Sequence, residues 1–309
     1  MTRRAALLFA LLSLAWGIPY LLIKVAGEEL SPALLVLART GVAALVLLPL
    51  VLLRRADRAA LPAVLRRWPV IALYAVVEIV VPWIFLTRAE QDLPSSTTAM
   101  LISAVPVVGV AIAALTGRAE QLGAPGWIGL ALGTAGVAAL VGLDVAGSSL
   151  GAVAEVAVVV VGYAIGPAIL ARKLSDLPGL PVMTVALGTA ALGSVPLVAL
   201  GGGLPATLPS TEVLVSVGVL AVVCTAFAFV AMFALVNEIG PVRGLAFVYV
   251  NPLVAVLAGA FLLGERVTVW TVAGFALVIA GSFLVTRRPA PAAAATVVRQ
   301  RRRRLTVGV

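Results

Sequence analysis

Two ionisable side chains stand where charge is costly. Glu78 lies in "LYAVVEIVVPWIF", residues 73–85, where the other polar group is a tyrosine hydroxyl. Arg39 lies in "LSPALLVLARTGVAALVLLPL", an equally apolar run. An ion in such surroundings must be paired, wetted or neutralised by a proton. Glu78 can therefore take up an ammonium group or a proton, and Arg39 can grip a carboxylate through its forked donors. Glu155 is a third candidate. It lies at a depth in its own apolar run that matches Arg39, so the two can pair, or each can act alone. The plain alternative for Glu155 is a carboxylate that reaches the interface.

Glu78 lies ten residues into a run of about twenty, so at a rise of about 1.5 Å per residue it is roughly 15 Å from either end. Helical spacing puts Ile71, Tyr74, Pro82 and Phe85 on its face, with Trp83 flanking. The alternative to a functional role is a protonated acid bonded to another helix. A face turned to lipid, or capped by a helix without a cavity, would exclude a substrate contact.

Several chemistries drop out. The chain has no histidine and a single cysteine, Cys224. This excludes His-ligated metals, histidine relays, an internal disulfide and thiolate clusters. No P-loop is present. No acid pair falls within an apolar run. No cofactor and no metal site are expected, and a membrane-embedded enzyme is disfavoured.

The elements that must position these residues follow from composition. Of 309 residues, 62% are hydrophobic and 11% charged, with a mean hydropathy of +1.16. A bilayer is the simplest solvent for such a chain. Ten apolar runs of spanning length occur, at about 5–25, 33–53, 68–87, 94–116, 124–143, 149–171, 181–200, 212–236, 242–263 and 268–286. The expected fold is an all-α polytopic membrane protein with ten transmembrane helices. The first run imitates a signal peptide but is too long for one and is expected to be retained. If the N-terminus is cytoplasmic, eighteen of the 22 Lys and Arg fall inside. Lys24, Arg88 and Arg266 fall outside, and Arg39 lies within a span. Both termini are therefore expected in the cytoplasm. The basic tail, 287–309, reads as a disordered cytoplasmic anchor near anionic lipid, with no nucleic-acid role.

The chain repeats itself. "PVVGVAIAALTGRAEQLGAPGWIGLALGTAGVAALV" from Pro106 aligns with "PLVAVLAGAFLLGERVTVWTVAGFALVIAGSFLV" from Pro252. Glu120 then matches Glu265, Gly129 matches Gly274 and Gly136 matches Gly281. Upstream, "AEQDLP" resembles "NEIGP". The halves, 1–146 and 147–286, read as copies of one five-span unit. Five is odd, so the second copy enters the membrane inverted. Two inverted five-helix repeats can exchange conformations and open a central site to either side in turn. The region of the second half matching Glu78, near "VVCTAFAF", has no acid, so the scaffold does not require one.

These features resemble the drug/metabolite transporter superfamily, in particular its EamA-type ten-span members. The resemblance rests on "LAWGIPYLLIKVA", on Ser-Pro before the second span, on Arg39 within it, and on the Pro…Glu…Gly blocks from Pro106 and Pro252. The second half has "VGYAIGPAIL" in place of a Trp-Gly. The resemblance covers about residues 5–286. It implies an inner-membrane carrier with a central cavity, moving a small polar or amphipathic metabolite such as an amino acid or amine, outward rather than inward. A channel-like facilitator and a lipid-linked flippase are its rivals.

The expected substrate-binding set is Glu78, Tyr74, Trp16, Tyr20, Arg39, Ser103, Tyr163, Tyr249 and Asn251. For each aromatic or small polar residue, packing is the plainer alternative. Pro19, Pro82, Pro106, Pro167 and Pro252 fall within spans and are expected as hinges or fixed kinks. Gly129, Gly133 and Gly136, with Gly274 and Gly281, read as close-packing faces within a monomer or in a homodimer. Glu120 and Glu265 are expected to cap loop ends. Expected partners are a small-molecule substrate, membrane lipid and, through Glu78, a coupling proton.

Overall fold

A computed structural model describes residues 2–115, 124–139, 150–201, 203–239 and 250–286. All regular structure among these residues is helical. Seven helices are long and apolar enough to cross a membrane: Arg3–Gly27, Pro32–Leu53, Trp68–Asp92, Ser95–Ile112, Leu150–Lys173, Gly179–Leu200 and Thr211–Ile239. Three shorter apolar helices, Ala124–Ala139, Asn251–Leu262 and Val269–Leu284, coincide with the remaining expected spans. Tyr249, Glu120 and the tail 287–309 lie outside the described residues.

Several long helices are composite. Helix α1 (Arg3–Gly17) ends at Ile18, and α2 (Pro19–Gly27) continues it. After α3 (Pro32–Leu53) comes α4 (Arg55–Arg66). The third span runs as α5 (Trp68–Tyr74), a π-helical turn (Ala75–Val80) and α6 (Val81–Asp92). The fourth is α7 (Ser95–Ile102) followed by α8 (Val105–Leu115). Then come α9 (Ala124–Ala139), α10 (Leu150–Lys173) and α11 (Gly179–Leu200). Next are α12 (Thr211–Ala221), a second π-helical turn (Val222–Phe227) and α13 (Ala228–Ile239). The last two are α14 (Asn251–Leu262) and α15 (Val269–Thr286).

Local sequence explains the starts. Ser31 accepts a hydrogen bond from the Leu34 N–H while Pro32 opens α3, so Ser-Pro is a cap. Ser210 caps α12 in the same way. The prolines expected as hinges sit at similar starts. Pro19 is the first residue of α2; Pro82, Pro106 and Pro252 are the second residues of α6, α8 and α14. At Pro19, Pro106 and Pro252 a missing N–H removes no helical bond. Pro82 follows the π turn within the continuous Trp68–Asp92 helix, and Pro167 lies inside α10.

The basic segment "RRADRAALPAVLRR", expected as a plain break, forms the amphipathic helix α4. Val64 is fully buried and Leu61 packs beside it on the core, while the arginines stay exposed. The third span also runs past its expected end, so Arg88 and Glu90 are helical rather than in a loop.

Two large apolar cores form. One gathers Ile23, Leu35, Met100, Leu220 and Cys224. The other gathers Leu47, Ile71, Tyr74, Met183 and Leu187. Tyr163 packs against both. Residues such as Leu45 and Phe261 stay exposed on the outside, as lipid contact requires. Helices α9 and α15 pack backbone to backbone. A Cβ on Gly136 would overlap the Gly274 carbonyl and Val278, and one on Gly281 would overlap Gly133 and the Gly129 carbonyl. The glycine faces thus meet each other inside one chain.

Gly281→Ala should cost about 1–3 kcal/mol through overpacking against rigid backbone. Gly188→Ala, which meets nothing within 4 Å, should be neutral or mildly stabilising. Unfolding of the purified protein in mixed micelles distinguishes them.

Candidate functional site

The two π-helical turns occupy matching places. Each spans six residues and ends fourteen residues before a proline, Pro94 in one half and Pro241 in the other. In each, a backbone N–H reaches five residues back, Val81 to the Val76 carbonyl and Ala228 to the Val223 carbonyl. Such a widened turn disturbs the backbone ladder and needs support from neighbouring helices. In this register Glu78 corresponds to Thr225, and Trp16 to Tyr163.

Thr225 is fully buried, and its hydroxyl donates to the Leu220 carbonyl at 2.8 Å. Its oxygen accepts Nε–H of Arg39 at 2.9 Å. The Arg39 guanidinium lies over the Trp83 ring, 3.7 Å from its centroid. Arg39 is 6% exposed and is the one basic residue that is buried among the described residues. No described carboxylate comes within 4 Å of it. Among the described residues its Nη groups have no hydrogen-bond partner. A desolvated cation–π contact contributes about 2 kcal/mol and one hydrogen bond about 1 kcal/mol. Burying an ion costs several kcal/mol, so the internal contacts alone fall short.

The expected Arg39–Glu155 pair does not form. Glu155 instead accepts Nη2 of Arg88 at 2.8 Å. Arg88 is close because the third span stays helical beyond residue 87.

Tyr20 and Tyr163 lie within electrostatic reach of Arg39, and the Trp83 indole is beside the Tyr163 hydroxyl. Trp16 donates through Nε1 to the Cys224 carbonyl in the second π turn, 3.0 Å away. It also meets Phe229 edge-on, ring centroids 5.6 Å apart at 76°. Arg39, Trp16, Tyr20 and Tyr163 therefore gather around Trp83 and Thr225. Trp83 had been expected only to flank Glu78, and nothing in the sequence singled out Thr225 except its place in the repeat.

Glu78 adjoins this group through Tyr163, which lies within electrostatic reach of both Glu78 and Arg39; the other expected residues sit apart. Glu78 abuts α10 at Gly166, where a Cβ would overlap its Oε2. That oxygen is buried without a hydrogen-bond partner. Tyr74 is buried, its hydroxyl 3.6 Å from the Met183 sulfur. Ser103 lies at the break between α7 and α8; its hydroxyl bonds the Met100 carbonyl, and its own carbonyl accepts from Ser282. Asn251 begins α14 with Oδ1 buried and unpartnered, and its carbonyl lies against Gly17 of α1.

The ends of the bundle differ. At the Lys24 end, Lys24 donates to the Glu90 and Leu93 carbonyls at 3.0 and 2.8 Å, capping α6. Glu90 is fully buried and accepts the Ser95 hydroxyl at 2.9 Å. Glu265 caps α7, accepting the Ser95 and Ser96 N–H groups at 2.7 and 2.9 Å and the Ser96 hydroxyl at 2.6 Å. This is the structural role expected for it. Glu29 accepts the Ser210 N–H at 2.8 Å, and the Ser210 hydroxyl together with this N–H lowers its carboxyl pKa from the ordinary value. Lys24 and Glu90 were not expected in a buried network. The sequence signal was their position beside apolar runs, masked by the loop-like "AEQDLP".

At the opposite end a cavity of about 420 Å³ is lined by Arg4, Arg54, Val230, Phe233, Asn237 and Glu238, among others. Arg4 faces Glu238 loosely, at 3.7 Å, and Thr2 bonds the same carboxylate. Glu78 does not line this cavity. Val230 does, and the neighbouring Phe229 meets Trp16 edge-on.

The EamA-like transporter family model matches this chain twice, at residues 3–142 and 151–287. The chain belongs to the EamA-like transporter family. Its relatives include a protein of Escherichia coli K12 named "Uncharacterized inner membrane transporter YedA", 30% identical over 296 residues, covering 91% of this chain and 92% of that protein. The YedA proteins of Escherichia coli O6:H1 and O157:H7 match equally. A solved crystal structure shares this chain's fold, with a TM-score of 0.64 at 21% identity, covering 91% of this chain and 96% of its own. The transporter character expected from the motifs is thus established by family membership.

Gly166→Ala should displace Glu78 and destabilise the protein by about 1–3 kcal/mol. Adding Glu78→Ala should recover part of that loss, because the residue 78 Cβ still lies 2.8 Å from the added one; a double-mutant cycle in unfolding free energy measures this non-additivity.

Proposed function

We propose that this chain is a secondary carrier of the inner membrane that exports a small polar or amphipathic metabolite by alternating access. Ten spans form two inverted five-helix units, 1–146 and 147–286, with both termini and the tail 287–309 in the cytoplasm. The two family matches and the paired π turns support that duplication, and the name of YedA supports the location. A gradient or the cargo itself supplies the energy.

One observation carries the reading: the asymmetry of the two ends about a buried polar group. The Arg4/Arg54 end holds a cavity of about 420 Å³, while the Lys24/Glu90/Glu265 end is tied by hydrogen bonds and holds a smaller one of about 160 Å³ beside Glu29 and Ser31. Arg39, Trp83 and Thr225 lie between. That difference supports an inward-facing carrier. Trp16 and Phe229 form the thin barrier between cavity and site, and Tyr20 and Tyr163 line the site. Glu78, abutting α10 instead of the cavity, handles the coupling proton and does not touch cargo.

Counterflow in proteoliposomes with a panel of labelled amino acids and amines tests the carrier. Saturable exchange is expected, and linear, non-saturating flux would indicate a channel-like facilitator. Glu78→Gln should keep exchange but lose its dependence on pH; a variant equal to wild type at two pH values makes Glu78 structural.

Accessibility tests the orientation. Cys224 is the single native cysteine and is buried, so engineered thiols report cleanly. Val230→Cys should react with an impermeant maleimide applied from the cytoplasmic side, and Leu93→Cys should stay protected from both sides. The opposite pattern reverses the assignment.

A further inference from the structure

We infer that the cargo carries a single carboxylate, which Arg39 binds through its two Nη groups above the Trp83 ring; simple amines are not cargo. This rests on the carrier reading and narrows it. Arg39 is a buried cation without an internal counter-ion. Glu155, the acid that sequence depth would pair with it, is engaged by Arg88 at 2.8 Å. Thr225 takes only Nε, at 2.9 Å. That contact and the Trp83 ring fix the guanidinium plane and leave the Nη donors for a ligand. A carboxylate matches them in charge and in forked geometry.

The charge balance favours a monoanion. Arg39 is the only buried basic side chain among the described residues, so a phosphate dianion would keep an uncompensated negative charge.

The test uses matched compounds that share a side chain: leucine, isoamylamine and isocaproate, and phenylalanine, phenethylamine and hydrocinnamate, with inorganic phosphate as a further arm. Binding to the purified full-length protein is measured by calorimetry. At least one carboxylated member of a set should bind, while its amine and phosphate do not. Arg39→Gln should weaken that binding by about 100-fold or more, as loss of a buried charge partner does. Arg39→Lys should lie between, for want of the fork. Thr225→Val keeps every charge and should weaken binding less than Arg39→Gln. Size-exclusion profiles and thermal unfolding establish that each variant is folded.

Binding of the amines, tighter binding of phosphate, no binding by any carboxylate, or carboxylate binding unchanged in folded Arg39→Gln would each overturn the inference. Counterflow with the bound carboxylate then separates the two readings. Binding without exchange sinks the carrier and leaves the Arg39 site standing.

Discussion

Hydrocarbon offers no hydrogen bonds, and the rest of this structure depends on that constraint. A backbone group left open within a span must find its partner inside the protein. Continuous helices satisfy this automatically, so each interruption has to be supported. Here the interruptions are few and placed together. They are the Gly17–Pro19 break, the two π-helical turns and the Ser103–Ala104 break. Both π turns and the Ser103–Ala104 break are covered by a side chain or a glycine from another span. Trp16 reaches the Cys224 carbonyl, Gly162 lets Pro82 and the Val77 carbonyl approach, and Ser282 reaches the Ser103 carbonyl. The same widening that costs helical regularity lets Thr225 face Arg39. Irregular backbone and buried polar chemistry therefore coincide.

The paired π turns also show how a duplicated scaffold diverges. The position is shared, but one half carries Glu78 and the other Thr225. Glu78 meets a glycine on α10, and one of its oxygens stays unsatisfied. Thr225 meets an arginine and a backbone carbonyl and is fully used. One turn holds a buried acid, and the other holds a cation in place. Chemically identical repeats could not differ in this way.

Much of this architecture is legible in the sequence. The apolar runs locate the helices because spanning length is fixed by the bilayer. Helical spacing places Tyr74 and Pro82 near Glu78, and the repeat marks Glu265 as a capping group. The legible part ends where partners come from distant spans. Arg39 and Glu155 match in depth, yet depth says nothing of rotation about the helix axis. Arg88 takes Glu155 because α6 extends further than hydropathy suggests. Glu90 and Lys24 sit at the ends of apolar runs, where hydropathy cannot tell a loop from a buried, capped helix end.

The sequence by itself determined the helical class, the repeat, the family and the presence of costly charges. Those properties depend on composition and periodicity, which are local. Tertiary structure alone decided that Arg39 stacks on Trp83 and bonds Thr225, that Glu78 turns to Gly166, and that the larger cavity lies at the Arg4/Arg54 end. These outcomes depend on which helix faces meet. Helices of nearly uniform apolarity carry little information about facing, because lipid and core are almost equally good solvents for leucine. The choice falls to glycines, capping serines and a few buried ions, whose partners lie far away along the chain.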